Sequence, residues 1–131
     1  MKQEIIDKLY NRARAVRQKA YAPYSKFKVG AALITDTKEI FAGCNIENSS
    51  LGLTICAERT AVFKAVSAGC NNFQAMLVLS DHQPPVTPCG ACRQVLAEFS
   101  QDMEIILANL KGERKTMNLA QLFPFPFEGG N

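Results

Sequence analysis

At 131 residues and 47% hydrophobic composition, the chain has the length and apolar content for one compact domain, expected to span residues 1–131. Its 15 basic and 12 acidic residues leave a net charge of +3, too mild to make a polyanion the expected partner, so nucleic acid is set aside. No apolar run follows the charged start, and no stretch reaches the roughly 18 apolar residues of a spanning helix, so neither a signal peptide nor a membrane span is expected and the cytosol is the expected compartment.

Residues 2–20 place Ile5, Ile6, Leu9, Tyr10, Ala13, Val16 and Ala20 at helical spacing, with basic residues on the other face. Ala22-Pro23-Tyr24-Ser25 breaks this helix, and Phe27 to Thr35 is apolar and partly β-branched, as in a half-buried strand. A turn at Asp36-Thr37-Lys38 returns the chain through Glu39 to Cys44, predicting an antiparallel hairpin. Residues 45–55 are polar and turn-rich. Cys56 to Ala68 reads as a helix, with Gly69 where a C-terminal cap belongs.

Ala75 to Ser80 is a continuous apolar run, the pattern of a strand covered on both faces. A proline-containing loop, Asp81 to Pro88, follows, then a buried helix from Cys89 to Phe99 and a strand from Glu104 to Asn109. Arg114 to Met117 reads as a short edge strand before a last helical turn. The alternation of helix and strand after the hairpin predicts parallel later strands with helices on both faces, a three-layer α/β/α arrangement around a mixed five-stranded sheet.

The five cysteines, an odd number in a chain without an export signal, argue against a disulfide framework. His82 is the only histidine, so a zinc site here has to rest largely on thiolates. Two segments meet that need: Cys56-Ala57-Glu58 and Pro88-Cys89-Gly90-Ala91-Cys92, each expected to open a helix. Three residues apart on one helix face, Cys89 and Cys92 converge on a single ion. Thr87 is the expected N-cap, Pro88 suits the first helical position, and the helix end favours the thiolate form of Cys89.

Cys56 and Glu58 share a site only if Cys56 sits at the very first turn of its helix, where the backbone is not yet fully helical, because residues two apart on a helix point about 200° away from each other. Three protein ligands leave a fourth zinc position open, the mark of a catalytic site, and water held there is acidified toward a pKa of about 7. Glu58 is then the expected proton shuttle, and Arg59 the expected offset to the negative charge of three thiolates. Cys-Ala-Glu followed by Pro-Cys-x-x-Cys is the signature of zinc deaminases.

With Cys-Ala-Glu-Arg-Thr-Ala at 56–61 and Pro-Cys-Gly-Ala-Cys-Arg-Gln-Val at 88–95, the chain resembles the small homotetrameric cytidine deaminases. The likeness extends to Tyr24–Ala32 and Gly43–Asn48 and covers nearly the whole chain. It implies a cytidine-deaminase-like fold, one zinc per subunit and hydrolytic deamination of cytidine and deoxycytidine with release of ammonia, as in pyrimidine salvage. It further implies that Asn45 and Glu47 bind the sugar hydroxyls, that Phe27 packs near the base, that Ala57 contacts the substrate and that Phe127 reaches a neighbouring subunit's site. Phe125 is a second aromatic in the same tail. Where the family commonly has tyrosine, this chain has Leu51, which motivates an alternative substrate on the same machinery, an N4-substituted or antibiotic cytosine nucleoside. Cys44 and Cys70 match no ligand position and are read as reduced structural cysteines, and His82 as a loop residue.

Overall fold

The computed structural model describes residues 1–129. In chain order it contains α1 (Gln3–Arg17), β1 (Gly30–Thr35), β2 (Ile40–Cys44), a short 3-10 turn (Leu51–Leu53), α2 (Ala57–Ser67), β3 (Phe73–Ser80), α3 (Gly90–Phe99), β4 (Glu104–Asn109), β5 (Arg114–Asn118) and α4 (Leu119–Leu122). One mixed sheet runs in the order β2-β1-β3-β4-β5. Only β3 and β4 pair in parallel; β1 pairs antiparallel with both β2 and β3, and β5 is an antiparallel edge.

Strand alternation sorts the core into two layers. Leu33, Met76, Val78, Ile105 and Leu107 point to the side that packs on Ala61, Val62 and Ala65 of α2 and Leu96 of α3. Their strand neighbours Ala32, Ile34, Leu77, Leu79 and Ile106 face Leu9 and Ala13 of α1 on the opposite side. Both faces of β1, β3 and β4 are therefore dry, which gives the expected three layers; β1, expected to be half-buried, is buried along its whole length because α2 covers one face and α1 the other.

Small residues bring the layers close together. A Cβ added at Gly43 of β2 would lie 2.5 Å from the backbone nitrogen of Ala61, so only glycine lets α2 approach the hairpin this closely. Gly69, at a φ of +93°, ends the same helix in the left-handed region, as its position in the sequence predicts. The final turn, α4, opens with a capping box in which Asn118 and Gln121 each satisfy a free backbone N–H.

Several element ends differ from the sequence expectation. Helix α1 stops at Arg17, because the N–H groups of Lys19 and Ala20 turn back to the carbonyls of Val16 and Arg17 in a tighter turn. Strand β1 begins at Gly30 instead of Phe27. The Asn45 side chain accepts from the Val29 N–H (2.9 Å) and donates to the Phe27 carbonyl (2.8 Å), occupying backbone groups that a strand would have paired. Strand β3 starts two residues earlier than its apolar run, at Phe73, which pairs with Thr35 across a bulge.

Candidate active site

Both cysteine-bearing segments end as helix caps. Cys56, with φ −72° and ψ 156°, is the extended residue before α2, and Cys89, with φ −67° and ψ 167°, is the extended residue before α3. Thr87 is thus not the cap of α3, and Pro88 lies before the helix and not at its first position. Thr87 instead accepts from the Arg93 guanidinium (3.1 Å), which also donates to the carbonyls of Pro88 and Leu122 at 2.8 Å each. Arg93 thereby fixes the loop that delivers Cys89 and ties it to α4.

Starting the helices at Ala57 and Gly90 has a geometric consequence. The extended backbone of Cys56 frees its side chain from the helical progression, so Cys56 and Glu58 line the same cavity despite being two residues apart. The sulfurs of Cys56, Cys89 and Cys92 all lie within 4.8 Å of one another. Cys56 and Cys89 are 3.6 Å apart and Cys89 and Cys92 are 3.4 Å apart. Zinc–sulfur bonds of about 2.3 Å in a tetrahedron require sulfur separations of about 3.8 Å, so this donor set fits one zinc ion with small adjustments.

The surroundings act unequally on the ionisable groups. Cys56 is pulled down to about 5, first by a hydrogen bond from Cys92 and, against the cost of burial, by the Arg59 guanidinium. Cys92 is pushed up by donating that hydrogen bond, by burial and by the nearby Glu58 charge. An Arg59 Nη donates toward the Cys56 sulfur at 3.6 Å and toward the Thr54 carbonyl at 3.5 Å. Glu58 is 5% exposed, and its carboxyl is raised to about 7, chiefly by burial and secondarily by the charge of Cys56. A carboxyl poised near neutrality beside a metal-binding cluster has the protonation range a proton shuttle needs.

The cavity holds about 250 Å³ and gathers residues from distant segments. Phe27, Asn45 and Glu47 line it together with Cys56, Ala57, Glu58 and Cys89. The Glu47 carboxylate accepts from the backbone N–H groups of Tyr24 (3.0 Å) and Ser25 (3.1 Å) and from the Ser25 hydroxyl. Its pKa is lowered, first by the Ser25 hydroxyl. Ser25, Thr54 and Val86 also line the cavity. Sequence reading gave none of these three a role, because no local pattern marks residues that meet only through the tertiary fold.

Phe127 lies elsewhere. Its backbone is clamped by Gln94, whose amide accepts from the Phe127 N–H (2.9 Å) and donates to the Phe127 carbonyl (3.0 Å). The rings of Phe125 and Phe127 project into solvent from this chain, 90% and 77% exposed, and Leu51 is 72% exposed. Cys44 is buried in β2 and Cys70 is half-buried beside Glu39, both free thiols distant in sequence and role from the cluster. His82 is exposed, its ring paired with the Pro84 carbonyl.

Fold, thiolate cluster and buried glutamate together define a zinc-binding deaminase, and the chain belongs to the cytidine and deoxycytidylate deaminase family. The family's profile, described as the cytidine and deoxycytidylate deaminase zinc-binding region, matches residues 3–108. Among curated proteins, the chain is 51% identical over 123 residues to a cytidine deaminase of Sporosarcina psychrophila, covering 93% of this chain and 90% of that protein. A solved cytidine deaminase from Burkholderia pseudomallei superposes with a TM-score of 0.90 at 45% identity, covering 97% of this chain and all of that one. A blasticidin-S deaminase of Bacillus cereus is more distant, 31% identical over 111 residues and covering 79% of each chain.

Proposed function

We infer that this protein catalyses zinc-dependent hydrolytic deamination of cytidine and deoxycytidine to uridine and deoxyuridine, releasing ammonia. The observation that carries this reading is the cluster of three cysteine sulfurs at the edge of a cavity that Cys56 and Cys89 line together with buried Glu58, Phe27, Asn45 and Glu47. The relatives named as cytidine deaminases supply the substrate class, and the reaction fits a place in pyrimidine salvage.

Cys56, Cys89 and Cys92 hold the zinc. When bound, that ion supplies Lewis-acid chemistry that lowers the pKa of water from about 15.7 toward about 7. The buried Glu58 carboxylate takes a proton from water and delivers it to N3 of the base, the hydroxide so formed adds to C4, and Glu58 then passes the remaining proton of that oxygen to the amine as the C4–N bond breaks. Arg59 withdraws negative charge from the cluster through its hydrogen bond to Cys56. Phe27 offers an apolar wall to the ring, Ala57 contacts the substrate, and Asn45 and Glu47 take the sugar hydroxyls, which are costly to bury unpaired.

The whole chain, residues 1–131, is read as one deaminase domain acting in the cytosol as a homotetramer. No helix is long and apolar enough to cross a membrane among the described residues. The exposed rings of Phe125 and Phe127 support assembly, since burying two bare aromatics against a neighbouring surface is favourable, and Phe127 is assigned to a neighbouring subunit's site.

Exposed Leu51 and the blasticidin-S deaminase relative favour one second reading, preference for an N4-modified or antibiotic cytosine nucleoside. Parallel spectrophotometric assays on cytidine, deoxycytidine and N4-substituted analogues separate the two. Turnover of the unmodified nucleosides supports the first reading; turnover confined to the analogues would replace it with the second.

A further inference from the structure

The geometry points to Ser25 as a positioning residue that aims Glu47 and Phe27 at the substrate, although it carries out no chemistry itself. Its hydroxyl stands between the two: it donates to Oε2 of Glu47 and accepts from the Phe27 backbone N–H at 3.0 Å. The link to Phe27 spans Lys26, whose φ of +62° is a left-handed conformation that residues with a Cβ rarely adopt. Closing a side-chain turn across this residue holds the loop in the shape that faces the cavity.

The hydrogen-bond inventory of Glu47 shows why this matters. A carboxylate has two oxygens with about four accepting directions in all. Oε1 receives the N–H groups of Tyr24 and Ser25, and Oε2 receives the Ser25 hydroxyl. One direction on Oε2 is left, and Ser25 determines where it points. Asn45 is similarly committed, to the Val29 N–H and the Phe27 carbonyl, which leaves one amide N–H and one accepting direction on its oxygen. The free Oε2 direction of Glu47 and the free N–H of Asn45 together form one acceptor–donor pair, the complement of a sugar hydroxyl. Without the Ser25 hydroxyl, Oε2 gains a second free direction, the Phe27 N–H loses its partner, and the pair no longer presents one fixed geometry.

This inference rests on the assignment of Glu47 and Asn45 to the sugar, and its test keeps the two ideas apart. Steady-state kinetics on the zinc-loaded protein are measured with cytidine, 2′-deoxycytidine and 3′-deoxycytidine for the wild type, Ser25→Ala and Ser25→Thr, with zinc content and thermal melting recorded for each. In the wild type, loss of one of the two hydroxyls lowers kcat/KM markedly. Ser25→Ala is expected to raise KM for cytidine about tenfold, the scale of one hydrogen bond to a charged group, while kcat stays within about twofold. The same variant shrinks the hydroxyl penalty, and Ser25→Thr, which retains the hydroxyl, restores both.

An unchanged KM and hydroxyl penalty in Ser25→Ala would overturn the inference, as would a fall in kcat alone. A wild type that turns over cytidine but is indifferent to both hydroxyls would instead overturn the sugar assignment. If Ser25→Ala does not fold, Ser25→Cys takes its place, since a thiol is a weak donor in nearly the same volume, with the same expected split between KM and kcat.

Discussion

A carboxyl group buried beside a thiolate is costly to ionise, and Glu58 is held in that position, with its pKa raised to about 7 against 4.5 for an ordinary glutamate. A carboxyl whose folded pKa is raised contributes stability below its unfolded pKa and loses it as pH rises through the folded value. In zinc-stripped protein, Glu58→Gln should therefore be the more stable form at pH 8, by up to about 3 kcal/mol, with the difference vanishing near pH 4. Urea melts across that range measure it, and a pH-independent difference would contradict the burial argument. The same variant should keep its zinc and lose turnover by about 10²- to 10⁴-fold, the range for a positioned acid–base group. The three cysteines and Glu58 were legible because metal chemistry restricts residue type and spacing. Ser25 was not, because its hydroxyl meets Glu47, 22 positions along the chain, only through the fold.

Helix α2 carries Cys56 at its cap and Glu58 in its first turn, so its seat on the hairpin sets the site's geometry. That seat depends on Gly43. Gly43→Ala should destabilise the protein by about 1–3 kcal/mol and loosen zinc binding, since the new methyl group meets the α2 backbone. Calorimetry with zinc titration tests this, and unchanged melting and affinity would show that α2 yields without consequence. Element types and order followed from periodicity, and the hairpin, the dry β3 and Gly69 lay where the pattern put them, whereas β1 is drier than its pattern implied. The element ends were less legible. The chain leaves β1 at Phe27–Val29 because the Asn45 side chain claims that backbone, and the Thr87–Pro88 loop is set by Arg93 from inside α3. The Asn45 bonds join segments 16 and 18 positions apart, and the Arg93 bonds reach back five and six positions across the start of α3; hydrophobic periodicity records neither.

At the scale of the molecule, the tail aromatics of the single chain are bare, and the proposed tetramer gives them a surface to cover. Sedimentation should give four times the 14.4 kDa chain mass, and Phe127→Ala should lower kcat/KM with zinc content unchanged. A fully active monomer would contradict the shared-site assignment. The α/β/α layering was legible from the order of elements, whereas the exposure of Phe125 and Phe127 emerged only from the folded chain, where the Gln94 clamp holds the tail against α3. The central claim is that zinc on three cysteines drives deamination of a cytosine nucleoside. Its most direct test is cytidine turnover before zinc removal by a chelator, after it, and after zinc is restored. The account predicts one zinc per chain, loss of turnover on stripping and its return on reloading, whereas full turnover by the stripped protein would contradict it.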